Sequence, residues 1–230
     1  MLIALAEASA RQQEPADLPV QFVATLSWRY AGGHASLASV PAERYLLGNG
    51  LIRLIEREPQ PLDAEGRVSD DADPRTLPVA SDRTIPGPAA GPEYPSTLPT
   101  DPARLTAELT SGACSQPSAC LAEASLSLHT GFVLRPELSA ALWRALAATG
   151  EADYLGETLD RIGRPAVALQ VPAPGADRYR VVYADPHTGA LLGADLIGTA
   201  HETGQGSIGP AVIGFTAIFG ARRVSEDDLP

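Results

Sequence analysis

The sequence contains no lysine; all 17 of its basic residues are arginine. This absence removes several chemistries. A P-loop needs Lys on the phosphates, a Schiff base needs a Lys amine, and S-x-x-K acyl enzymes need Lys beside the nucleophilic Ser. Arginine cannot stand in where the group must shed its proton. A high-GC coding bias produces the same absence with no functional meaning.

Other signals are equally thin. Cysteine occurs twice, with no C-x-x-C pair. The four histidines, His34, His129, His187 and His201, include no i, i+4 pair and none has a neighbouring Cys. The His201–Glu202 step does not extend to H-E-x-x-H, and no G-x-S-x-G elbow occurs. The sequence therefore leads us to expect no metal, no cofactor and no catalytic residue. Positive charge is short as well: the formal net charge is -11, and no basic stripe is visible. That disfavours nucleic acid and an anionic membrane surface. No window approaches the ~20 apolar residues of a membrane span. The opening apolar run Leu2–Ala6 stops at Glu7, too short for a signal-peptide core.

What is present is core-forming sequence in short pieces. The chain has 230 residues, 44% of them hydrophobic, with 21 Gly and 21 Pro. That composition suits one turn-rich domain over 1–230 better than a helical bundle. Leu2, Ile3, Ala6 and Ala10 suggest a short opening helix. In "VQFVATLSWRY" (20–30), Val20, Phe22, Ala24, Leu26 and Trp28 alternate with polar residues, as in a half-buried strand. "RYLLGNGLIRLIE" (44–56) reads as strand, turn and strand, with Gly48 and Gly50 free to take positive φ. Residues 59–100 are crowded with proline and acidic side chains and lack periodicity. They read as a loop or lid, with "TLPVA" (76–80) as a short edge strand.

Helical patterns follow at 100–109, around Leu121, Ala124, Leu128 and Phe132, and at 135–150. In the last of these, Leu138, Leu142 and Leu146 form a stripe and Gly150 suits the C-terminal end. Strands return at about 152–160, 165–171, 178–184, 190–198 and 211–222, joined by "DRIGRP", "PAPGAD" and "DPHTG". The tail, 222–230, is expected to be frayed. The order predicts an α+β fold, a curved antiparallel sheet resembling a half-barrel and packed on a small helical cluster.

Two motifs invite a catalytic reading, and turn chemistry explains both. Asp185 and His187 resemble an acid–base pair. Yet Asp185 can accept from the following N–H groups, Pro186 presets φ, and Gly189 can close the turn, which leaves His187 at an exposed tip. "GQGSIG" (204–209) matches G-x-G-x-x-G but lacks the preceding strand and following helix of a dinucleotide site. Cys114 and Cys120 flank a short polar loop between two predicted helices. A disulfide is the favoured reading, and it would place the chain in an oxidising compartment.

Several segments resemble a family of membrane-tethered proteins of high-GC Gram-positive bacteria associated with extracytoplasmic-function sigma factors. They are the strand around Trp28, "LPTDPARLTAEL" (98–109), "LRPELSAALWRALA" (134–147), "TLDRIGRPAVAL" (158–169) and "YADPHTGALLG" (183–193). The resemblance implies the extracytoplasmic part of a protein anchored by a segment absent from this chain. The element order is also similar to lipoprotein-carrier half-barrels of the LolA and RseB type, which implies a groove between sheet and helices. Three functions remain open. One is a non-enzymatic sensor or ligand-binding domain for an apolar small molecule or a protein segment, with Phe22, Leu26, Trp28, Leu142 and Leu146 lining the groove. The second is a hydrolase whose Ser, His and Asp meet through space, and the third a scaffold with no groove.

Overall fold

The computed structural model describes residues 1–29, 38–62, 74–111, 114, 116–174, 178–198 and 210–230. The motif at 204–209 and part of the "PAPGAD" turn lie outside the described residues, as do His34 and His201.

The chain opens with helix α1 (Leu2–Ala10), then strands β1 (Val20–Arg29), β2 (Ala38–Leu46), β3 (Leu51–Arg57), β4 (Gln60–Pro61) and β5 (Val79–Pro86). Four helices follow: α2 (Tyr94–Thr97), α3 (Pro102–Leu109), α4 (Pro117–Gly131) and α5 (Pro136–Thr149). The last third supplies β6 (Asp153–Leu159), β7 (Pro165–Pro172), β8 (Arg178–Ala184), β9 (Leu191–Gly198) and β10 (Ala211–Val224). The strands form one antiparallel sheet in the order β5-β3-β2-β1-β10-β9-β8-β7-β6, with β4 added to β2. Pairing of β1 with β10, from Val20↔Val224 to Arg29↔Gly214, joins the two ends of the chain. The sheet stays open, with β5 and β6 as its edges, and the helices make the fold α+β.

Local chemistry explains most boundaries. Proline occupies the first turn of α2, α3, α4 and α5, where its missing N–H is no loss. Asp101 caps α3 by accepting from the Arg104 N–H at 2.9 Å. Gly150 ends α5 in the left-handed conformation, φ 69°. In the β2–β3 turn Gly50 takes positive φ (80°), while Gly48 does not.

Four expectations need correction. The buried side of α1 is Leu5, Ala6, Ala8 and Ser9, whereas Ile3 is 53% exposed. Residues 59–100 are not simply a lid: their described part adds β4, β5 and α2. β5 pairs with β3 as an edge strand, from Val79 rather than 76–80. Most of its side chains are exposed on both faces, so no alternation marks it in the sequence. Nor is the tail frayed. Val224 is buried at the end of β10, Ser225 caps a short turn over Glu226–Asp228, and Leu229 packs on the core.

The sheet separates the core into two sides. Toward the helices, Val23, Val167, Leu169, Val171, Val182 and Ala194 pack on Leu5, Leu121, Trp143 and Leu146. A neighbouring cluster joins Leu46 and Ile52 to Leu105, Leu128, Leu138 and Leu142. On the opposite side, Val20, Phe22, Tyr45 and Ile55 form one cluster, and Leu26, Phe215 and Ala217 another; neither contains a helical residue.

Candidate functional site

The Asp185 turn is a hairpin turn with a buried anchor. Asp185 Oδ1 accepts from the N–H groups of His187 (2.7 Å) and Thr188 (3.1 Å). The Gly189 N–H donates to the Asp185 carbonyl at 2.9 Å, and Gly189 has φ 68°. Burial raises the Asp185 carboxyl, but the His187 and Thr188 N–H groups outweigh it and the net displacement is downward. His187 is exposed. The carbonyl of Gly189 has a role that sequence reading misses. It accepts from Ser9 Oγ of α1 (2.9 Å) and from Trp143 Nε1 of α5 (2.8 Å). A Cβ at Gly189 would lie 2.2 Å from the Leu5 carbonyl oxygen. Helices α1 and α5 thus dock on this turn, and the motif positions them.

A second polar centre lies on the other side of the sheet. Arg161, in the β6–β7 turn, donates to both oxygens of Asp195 at 3.0 Å, and Tyr183 Oη donates to Asp195 at 2.8 Å. Asp160 accepts from Arg164 Nε at 2.8 Å, while the same guanidinium reaches the carbonyls of Ile218 (2.8 Å) and Leu192 (3.0 Å). Burial, then the Asp195 charge, pushes the Tyr183 phenol well up, so it stays protonated as a donor. Each buried acid has a guanidinium partner, as a buried charge requires. Buried Gln21 also bridges elements, donating to the Pro92 carbonyl and accepting from the Val133 N–H, each at 2.9 Å. Isolated Asp, Arg and Gln residues in a sequence do not announce such partners.

The five proposed groove residues do not converge. Phe22 sits with Tyr45, Leu26 with Phe215, Leu142 with Leu138, and Leu146 with Trp143, in four separate clusters. Trp28 lies near Phe215, ring centroids 6.4 Å apart, and not at the sheet–helix junction. The helices pack on the Gln21 and Val23 face of β1, not on the apolar face of Phe22, Leu26 and Trp28, and period-two alternation alone does not say which face receives them. Cys114 and Cys120 do form the expected disulfide ahead of and within the first turns of α4.

Space does remain between sheet and helices. A cavity of ≈390 Å3 opens where the end of α1, the α4–α5 junction, the β8–β9 turn and β10 meet. Phe132, Val133, Leu134, Leu191 and Ile218 give it apolar walls, and its polar members include Gln12, Gln13, His129, Ser139, Arg222 and Arg223. Burial lowers the His129 imidazole to about 4, so it is neutral at physiological pH. Its Nδ1 lies 2.7 Å from the Ser125 carbonyl and must be the donor, which makes Nε2 the ring's acceptor. A hydrolase triad needs a His bonded to both Ser and carboxylate. His129 bonds a main-chain carbonyl, and His187 joins Asp185 through its main-chain N–H.

Among the described residues, no cluster of three or more His, Cys, Asp or Glu is arranged to hold a metal, and no helix is long and apolar enough to cross a membrane. No family model matches the sequence, and no curated protein does. A DUF1329 family protein from Desulfovibrio piger, a solved structure, aligns with 100% of this chain and 93% of its own at 12% identity and a TM-score of 0.23. A similarity at that level carries no functional argument.

Proposed function

We propose that this chain is the extracytoplasmic ligand-binding or sensor part of a membrane-tethered regulatory protein, and that it binds without catalysing a reaction. The observation that carries the reading is the ≈390 Å3 apolar-walled cavity between the sheet and the helices. Small-molecule sites are concave, mostly apolar and provided with a few polar groups, which matches this lining. The Cys114–Cys120 disulfide is compatible with an oxidising compartment. An apolar small molecule or an apolar protein segment is the occupant that suits these walls.

Native mass spectrometry of protein purified from its own host tests the reading. A co-purifying apolar ligand or a bound protein segment is expected, and Ala221→Trp, which places a large ring at the lining of the cavity, should abolish it. Unliganded protein with no response to that substitution would leave a scaffold role.

A further inference from the structure

A second cavity, ≈500 Å3, lies on the sheet at the ends of β1, β2, β8, β9 and β10. It shares no lining residue with the helix-junction cavity. Strand register sets its floor in a row that steps by two residues along β10, from Thr216 to Gly214. Ser27 stands opposite Val40 on one side and Thr216 on the other. Leu196 stands opposite Gly214 and Arg180. Four strand-to-strand steps of ~4.8 Å make the row about 19 Å long.

Arg180 ends the row and is 9% exposed. Its Nη2 donates to Glu123 of α4, a carboxylate left about half exposed at 49%. Its Nε is buried and has no acceptor among the described residues. Buried donors of a charged group are normally satisfied, and a guanidinium offers a fork matched to a carboxylate or phosphate. The rest of the row is apolar at Leu196 and Val40, with the hydroxyls of Thr216 and Ser27 between them.

We infer that this row binds an elongated ligand with an anionic head, the head on Arg180 and the body extending across Leu196 toward Val40. The net charge of -11 repels anions at long range, so selection falls to this one buried guanidinium. Glu123 competes with the ligand for it and sets the affinity.

Calorimetric titration with dodecanoate, dodecyl phosphate, dodecanol and dodecyltrimethylammonium, each below its micelle concentration, tests the site. Dodecanoate or dodecyl phosphate should bind at least about tenfold more tightly than the alcohol, and the cation more weakly still. The tighter of the two anions identifies the head. Arg180→Gln should reduce the anion to the affinity of the alcohol. Glu123→Gln removes the competitor and should tighten anion binding several-fold, which keeps the test alive if Arg180→Gln fails to fold. Ala221→Trp, which fills the other cavity, should leave the preference for anion over alcohol unchanged. Equal binding of anion and alcohol, no binding of either anion, or a preference untouched by both substitutions overturns the site.

Discussion

The β6–β7 turn and the β8–β9 turn use the same local chemistry. Asp160 accepts from the N–H groups of Ile162 (3.1 Å) and Arg164 (2.9 Å), much as Asp185 accepts from His187 and Thr188. Each turn then carries a glycine at positive φ, 79° at Gly163 and 68° at Gly189. Beyond the turn itself they differ. The β8–β9 turn is held by contact: helix backbone sits where a Cβ would be, and two neutral donors share one carbonyl. The β6–β7 turn is held by charge: Arg161 reaches buried Asp195 of β9, Arg164 pairs with Asp160 of the turn itself and reaches main-chain carbonyls of its neighbours, and a Cβ on Gly163 would meet open space. One turn tolerates no added volume, and the other tolerates volume but not a lost charge.

The largest expected effect breaks the comparison at the glycines. Gly189→Val combines positive-φ strain with a backbone clash at 2.2 Å and should prevent folding or cost well over about 3 kcal/mol. Gly163→Ala carries the φ strain alone, about 1–2 kcal/mol. Urea denaturation of the two variants measures the gap, and equal losses would mean that contact does not distinguish the turns.

A smaller effect is expected from the charged side. Arg161→Ala leaves Asp195, which is 2% exposed, with Tyr183 as its remaining described partner, and should cost about 3 kcal/mol. Adding Asp195→Asn should recover part of that loss, because the uncompensated charge disappears. A double variant no more stable than Arg161→Ala would show that the network acts by packing.

The smallest effect sharpens the reading of the β8–β9 turn. His187 is exposed and takes part through its main-chain N–H, so His187→Ala should change stability by no more than about 0.5 kcal/mol. A loss several times larger, by the same denaturation assay, would give the imidazole a role that the geometry does not show.

The segments with a strong period were legible in advance. The stripe Leu138, Leu142, Leu146 fixes α5, and β1 and β7 through β10 fall within a few residues of their expected positions. β5 was read only as a short edge strand at 76–80, because most of its side chains are exposed and Pro78 and Pro86 at its two ends imitate a loop; at a sheet edge, proline costs no ladder bond. The binding groove was not legible, since Phe22, Leu26 and Trp28 show alternation but not which layer lies above them.

By itself the sequence determined the strongly periodic elements, the turn chemistry at Asp185 and Gly189 and the α+β order, because these depend on contacts a few residues apart. Cys114 and Cys120, six residues apart, belong to the same short range. Tertiary structure decided what each face of β1 meets, which acid Arg161 neutralises, and why Gly189 can carry no side chain. Those outcomes join residues such as Ser9 and Gly189, 180 positions apart. A local pattern is indifferent to such partners, and only packing of the layers brings them within bonding distance.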